Sequence, residues 1–499
     1  MTKPRGELAI VLHTHMPYVE SYGTWPFGEE WLWRCVAESY LRIAPVIEGH
    51  PVTLGVTPVL ADQFAAMKGD AGDRMLGFIN DSREFVFAQD MQWFWDVGKG
   101  ELKTSLEPQL ADYRRAAAQF EGELARDLNG MVRALGESGV ELLGGPATHP
   151  IMPLLATDFG ADLQLRVGAD SHHARFGSGS RGIWLPECAY APGVERALGR
   201  AGVSHVCVDQ SAVNGVDSLD NLEPVDARGV IAAPIDWHTV GHVWREGGYP
   251  AAGAYRSSFK RTVHSLMPWN NVGASWSAET SRAQARAHSA AFLRNLGARL
   301  EVYADERGRP GLCVFAVDTE LLGHWWYEGP WWLEQVIKDA AAAGIKLVTL
   351  AQGVAGRDPV ERRPATASWG EAKDLSTWDS PAVAAYAWQT RAAELELFDL
   401  LGHDGEIART PAALRAAREL LALQSSDWAF IDKRRTAGDY ASERFAGHLA
   451  GFERSVSALR QSALSEGGEG HATEVAGLAP GLSNETLAEI RFKPPSGST

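Results

Sequence analysis

Cysteine is scarce in this chain: four residues in 499, at positions 35, 188, 207 and 313, with no C-x-x-C spacing. A disulfide framework and a zinc–thiolate centre are therefore not expected. Long apolar runs are also missing. No stretch approaches the roughly 18 apolar residues of a membrane span, and the opening "MTKPRGELAIVLHTH" has too short an apolar run for a signal-peptide core. Positive charge is short as well: 47 Lys and Arg stand against 63 Asp and Glu, a formal net charge of -16. Nucleic acid and anionic membranes would be repelled, whereas a neutral substrate such as a sugar would not. These absences lead to the expectation of a cytoplasmic protein that binds neither nucleic acid nor membrane.

Tryptophan is abundant, with 18 copies. Large rings fill cores, but they also stack on the apolar faces of sugars. The stretch "FAVDTELLGHWWYEGPWWLE" sets Trp325, Trp326, Trp331 and Trp332 close to Asp318 and Glu320.

Short apolar runs alternate with helical patterns. Strands are expected at 7–13, 52–57, 84–88, 140–145, 182–186, 203–209, 229–233, 312–318 and 345–350. Such an alternation indicates a parallel sheet covered on both faces. Seven or more units favour a closed barrel. The segment 100–138 reads as a helical insertion, and 366–465 as an all-helical C-terminal region with three- and four-residue apolar spacing. The catalytic barrel would then span 1–365, and the Gly/Ser/Pro-rich 466–499 reads as a flexible tail in which "LAEIRF" could pack back onto the body.

In a parallel barrel the chemistry collects where strands end. Strand ends here deliver His13 and His15, then His149, Glu187, Asp209 and Asp318, with Glu320 and His324 just beyond. Singly, each has a plain explanation, such as a helix cap for Asp318 or a surface position for Glu187. Together they fit two chemistries. One is a carboxylate pair flanking a glycosidic bond. The other is a metal site built from His13 and His15 with Asp209, Asp318 or Glu320, as in a metal-dependent polysaccharide deacetylase. Trp in "WLPE", "GHWWYEGPWW" and "ASWGE" favours the first, because a sugar cleft needs stacking platforms. A glucan-binding protein without catalysis is a further alternative.

The ordered motifs "VLHTHMPY" (11–18), "GPATHPIMPLL" (145–155), "GIWLPECAY" (182–190), "VDTELLGHWWYEGP" (317–330) and "SSDWAF" (425–430) resemble those of the family 57 glycoside hydrolases, of the 1,4-α-glucan branching type. The resemblance covers about 7–455. It implies an α/β fold, a (β/α)7 barrel with an all-α C-terminal domain, acting on α-glucan by a retaining mechanism without metal or other cofactor. It implies Glu187 as nucleophile and Asp318 as general acid/base. His13, His15 and His149 would line the subsite of the cleaved glucose, with Trp369, Trp378 and Asp427 contributing from the C-terminal side. Of the ring cluster, Trp325 or Trp326 is expected to touch sugar. α-1,4-Glucan hydrolysis and 4-α-glucanotransfer are alternatives within the class. Retention needs the two carboxyl groups about 5–5.5 Å apart, and Asp318 is expected to be raised by burial and by the Glu187 charge. The sequence departs from the family's pattern at 236–276, where no tyrosine precedes Trp244 and Tyr249 and Tyr255 come later.

Overall fold

The computed structural model describes residues 5–24, 26–177, 180–403, 410–462, 475 and 477–492. Nine strands order the chain: β1 (Gly6–Thr14), β2 (Thr53–Val56), β3 (Glu141–Leu143), β4 (Gly182–Ile183), β5 (His205–Val208), β6 (Val225–Ala227), β7 (Val230–Pro234), β8 (Gly311–Asp318) and β9 (Ile345–Val348). β8, β1, β2 and β3 pair in parallel in that spatial order. A parallel bridge from Gly144 to Ile183 carries the ring on to β4. β4, β5 and β7 follow, again parallel. The Asp236 N–H donates to the Val314 carbonyl at 3.0 Å and brings the chain beyond β7 back to β8. The result is a seven-stranded parallel barrel. β6 is an antiparallel companion of β7, and β9 lies beside the first half of β1.

β1 shows why the barrel reads as near-continuous apolar sequence. Leu8 to Leu12 are all at most 1% exposed, because one face meets the barrel interior and the other meets helices. β1 uses its two edges unequally. One edge carries β8 from Gly6 to His13, and the other is shared by β9 at Gly6–Ala9 and β2 at Val11–Thr14.

Eight of the nine expected strands form, several shorter than expected. The exception is 84–88, which lies in the helix Glu84–Asp96. "EFVFA" has strand-like composition, but Phe87, Asp90 and Phe94 are its buried residues, and that spacing is helical. The expected insertion at 100–138 contains the helices Gly100–Ala118 and Leu128–Glu137. Helices already run from Asp70, so the helical stretch begins earlier than its sequence texture implied.

On the C-terminal side, helices Ala384–His403, Pro411–Leu423, Asp427–Arg434 and Tyr440–Ser462 build a second apolar cluster. Thr410 starts one of them by accepting from the Ala413 N–H at 3.2 Å, with Pro411 at the first position. The cluster includes Val59, Phe159 and Leu163 from helices of the barrel. Part of the segment expected to be a free tail belongs to it too. Leu478, Leu482 and Leu487 are buried, and the Ala479 N–H donates to Asp62 at 2.8 Å. The helix Asn484–Phe492 continues this packing. Most of the remaining positions of 466–499 lie outside the described residues.

Glu394 ties the C-terminal helices to the barrel. Its carboxyl is buried and accepts from the N–H groups of Ala156 and Thr157 and from the Gln424 amide, at 3.1, 2.7 and 3.0 Å. Glu394→Ala strands these donors in the interior. We expect a loss of about 2–3 kcal/mol of unfolding free energy, read from urea denaturation; a loss below about 0.5 kcal/mol would show that water replaces the carboxylate.

Candidate active site

The strand-end residues meet at one mouth of the barrel. His13 lies within β1 opposite Asp318 on β8, as Cα partners across the parallel pair. His15 follows β1, His149 follows β3, and Glu187 follows β4. His149 and Glu187 both have left-handed backbones, with φ of 61° and 55°. For a non-glycine residue that conformation costs about 1–3 kcal/mol, and it persists only where the surroundings hold it. Two backbone bonds from the C-terminal part of the chain do so. The Ser426 N–H donates to the His149 carbonyl at 3.1 Å, and the Trp369 N–H donates to the Glu187 carbonyl at 2.9 Å.

The rings form a stack. His13 lies parallel to Trp184, with centroids 4.4 Å apart, and His15 lies on His149 at 4.0 Å. His13 Nε2 meets His149 Nε2 at 3.1 Å, so one nitrogen donates and the other accepts. His13 Nδ1 is buried without a partner. An orphaned N–H there is avoided if His13 is protonated on Nε2 and donates to His149. His149 then carries its proton on Nδ1, 2.9 Å from Ser426 Oγ and 3.9 Å from Glu187 Oε1. Burial lowers both imidazoles well below their usual value, and the neighbouring histidines add to the effect, so both are neutral. His15 Nδ1 contacts Thr57 Oγ1 at 3.1 Å, and its Nε2 lies 3.0 Å from Asp427 Oδ2. Burial would raise Asp427, but the His15 charge and hydrogen bond outweigh it and hold the carboxyl at about 2.

Glu187 accepts the Trp369 indole N–H on Oε2 at 2.7 Å. Among the described residues no donor reaches the Asp318 carboxylate. Burial raises Asp318 to about 6, with His15 opposing. Burial and then the Asp318 charge raise Glu187 to about 8, with the Trp369 bond opposing. On those figures alone the shared proton would rest on Glu187. The hydrogen bonds argue otherwise: a donor stabilises the anion at Glu187 and none does at Asp318. We place the charge on Glu187 and the proton on Asp318, and treat the two as one coupled pair. Such a pair can supply a nucleophile and a proton donor to one bond.

Other expected residues fall elsewhere. Asp209 is fully buried, held by Lys373 at 2.9 Å and by Ser211. Among the described residues, the set that comes within metal-binding reach of one another is His15, His149 and Asp427. The deacetylase-type ligand set of His13 and His15 with Asp209, Asp318 or Glu320 is therefore not assembled. Trp378 is 2% exposed, packed with Ile151, Ala189, Val383 and Ala429. Trp326 and Trp332 belong to the core, whereas Trp325 is 55% exposed beside His324. Tyr249 stacks on His288 and Tyr255 bonds the same ring, so both tyrosines of the 236–276 segment face the helix Ala278–Arg307.

Sequence reasoning read Trp184 of "WLPE" as a sugar platform, whereas it stacks on His13, and it missed Ser426 and Thr57. Ser426 and Thr57 act through contacts made only when the chain folds, and carry no local signal.

A parallel barrel with two coupled carboxyls and stacked rings at its mouth defines an enzyme that works on glycosidic bonds. The profile described as "Glycosyl hydrolase family 57" matches residues 9–231, and one described as "1,4-alpha-glucan branching enzyme, C-terminal" matches 391–476. A probable 1,4-alpha-glucan branching enzyme of Mycobacterium tuberculosis is 33% identical over 481 residues, covering 89% of this chain and 90% of the relative. The 1,4-alpha-glucan branching enzyme of Thermococcus kodakarensis is 27% identical, covering 91% of this chain and 74% of the relative. The crystal structure of the family 57-type branching enzyme of Pyrococcus horikoshii superposes with a TM-score of 0.88 at 27% identity, over 99% of this chain and 98% of that one. The chain belongs to glycosyl hydrolase family 57.

Trp369→Phe keeps a ring and removes the donor on Glu187. A hydrogen bond to a charged group is worth about 1.5–3 kcal/mol, so the lower titration of the pair, in which Glu187 takes up its proton, should rise by about one unit or more. Carboxyl-carbon NMR titration reads it. An unmoved titration would mean that water takes over the indole's place.

Proposed function

We propose that the protein is a retaining 1,4-α-glucan branching enzyme, cleaving α-1,4 links and forming α-1,6 branches in glycogen or a related polymer. The observation that carries this reading is the coupled Glu187–Asp318 pair at the barrel mouth, with Trp369 donating to Glu187. Glu187 attacks the anomeric carbon while Asp318 gives its proton to the departing 4-oxygen. The anionic Asp318 then takes the proton of an acceptor 6-hydroxyl, whose oxygen displaces Glu187 and leaves the branch point. Both carboxyls return to their starting states. His13, His15, His149 and Asp427 line the subsite of the cleaved glucose, and Trp325 offers an exposed ring to an outer sugar. Trp378 supports this wall from within its buried cluster.

We take residues 1–365 as the catalytic barrel and 366–465 as a helical domain that completes the cleft through Trp369 and Asp427. No helix among the described residues is long and apolar enough to cross a membrane. The four thiols, all buried and unpaired, support a cytoplasmic setting.

One observation favours a second reading, α-1,4-glucan hydrolysis. The 256–276 loop is pinned to the helices of the preceding region, through Thr262 and His264 on Asp90 and Arg256 on the Ser105 carbonyl. Such anchoring restricts the loop's freedom to close over the carboxyl pair and exclude water. Linkage analysis of amylose products decides. New α-1,6 links support branching; free reducing ends alone support hydrolysis; altered linear lengths alone support 4-α-glucanotransfer.

Glu187→Gln and Asp318→Asn should each lower turnover by about a thousandfold or more with folding intact. Near-normal activity in either would sink the assignment. Activity should also fall on both sides of a window bounded by the titrations near about 6 and about 8, since one proton must stay on the pair. A flat pH profile across that window would remove the coupled pair from the mechanism.

A further inference from the structure

The loop that follows Asp318 is gripped by one short turn. Val36–Tyr40 is a π-helical turn between the helices Glu29–Cys35 and Leu41–Ile47. Such turns interrupt regular helical bonding and recur at functional sites. Here three consecutive side chains hold the loop. Glu38 accepts from His324 Nδ1. Ser39 Oγ lies 2.8 and 2.9 Å from the carbonyls of Thr319 and Leu322. The Tyr40 O–H donates to Glu320. All three side chains are buried. The backbones also close on each other: at Gly323, with φ +112°, a Cβ would stand 2.1 Å from the Glu38 carbonyl oxygen. No step of the displacement described above uses this turn.

We propose that the turn is the positioning element of the acid/base loop, and that Tyr40 and Glu320 are positioning residues that keep the transferable proton on Asp318. This rests on the reading of Asp318 as acid/base. Glu320 lies two residues beyond Asp318; burial and then the Asp318 charge raise it to about 8, and the Tyr40 hydrogen bond opposes that rise. The titratable groups around them are Cys35 and Tyr40 from the turn side, His15 beyond β1, and Glu187 beyond β4. Burial keeps the Cys35 thiol and the Tyr40 phenol protonated. Three carboxyls therefore compete for protons. Trp369 donates to Glu187, Tyr40 donates to Glu320, and no described residue donates to Asp318. Donors favour the anion, so charge settles on Glu187 and Glu320 and the proton on Asp318. An anion at Glu320 also makes that proton harder to lose.

The test uses the full chain, amylose as substrate, and Tyr40→Phe, Glu320→Gln and Asp318→Asn beside the unaltered protein. Tyr40→Phe should move the proton toward Glu320, and Glu320→Gln should remove the anion that guards it. Each should lower kcat by about tenfold or more, leave KM within about twofold, and shift the alkaline limb of the pH–kcat profile down by about half a unit or more. An unmoved limb in folded variants overturns the proposal, whether kcat is kept or lost, because a merely structural turn would change stability without changing titration. If Tyr40→Phe does not fold, Glu320→Gln decides alone, since its amide oxygen still accepts from Tyr40. Activity in the unaltered protein, none in Asp318→Asn and unchanged profiles in the other two would refute the positioning role alone. Full activity in Asp318→Asn would refute the acid/base reading itself.

Discussion

Trp369 holds Glu187 twice, by its backbone N–H on the carbonyl and by its indole N–H on the carboxylate, at 2.9 and 2.7 Å. Without the first bond a left-handed glutamate has no reason to stay in a conformation that costs about 1–3 kcal/mol. Without the second, the buried carboxylate loses a donor. Ser426 does the same for the His149 backbone. The barrel supplies the functional side chains, and segments far along the sequence fix the backbone that aims them. The second apolar cluster, with Glu394 at its seam, keeps the Ser426 segment in place, and Trp369 packs against the core of the barrel.

The site is built mostly from groups that burial keeps uncharged. His13 and His149 stack with Trp184 and His15 as neutral rings. Charge is confined to places where a donor waits for it: Asp427 faces His15, and Glu187 faces Trp369. Among the described residues Asp318 has no such donor, and that asymmetry between two nearby carboxyls separates their chemistry. The same contrast extends to Glu320, held by Tyr40.

The sequence revealed the barrel because parallel strands buried on both faces are apolar throughout, as Leu8 to Leu12 are. It misled at 84–88, where aromatic and β-branched residues imitate a strand and the spacing of Phe87 and Phe94 reports a helix only over a longer window. Glu187, Asp318, His13, His15, His149, Trp369 and Asp427 were all legible as strand-end or motif residues, and the structure gathers them at one mouth. Trp378 was not legible as a core residue: its neighbours Ile151 and Ala189 come from distant segments. The turn at 36–40 was hidden for a similar reason, since "VAESY" reads as ordinary helix and its partners lie some 280 positions away.

The distance along the chain has a consequence for how the enzyme is made. His15 and Asp427 bond across 412 positions, and Thr148 bonds the Leu421 carbonyl across 273. Closing such long loops is entropically costly and late in folding. A ribosome-bound chain with its barrel finished still lacks Trp369, Ser426 and Asp427. Glucan chemistry therefore switches on only after nearly the whole polypeptide has been synthesised, and truncated products carry the carboxyls without the aim.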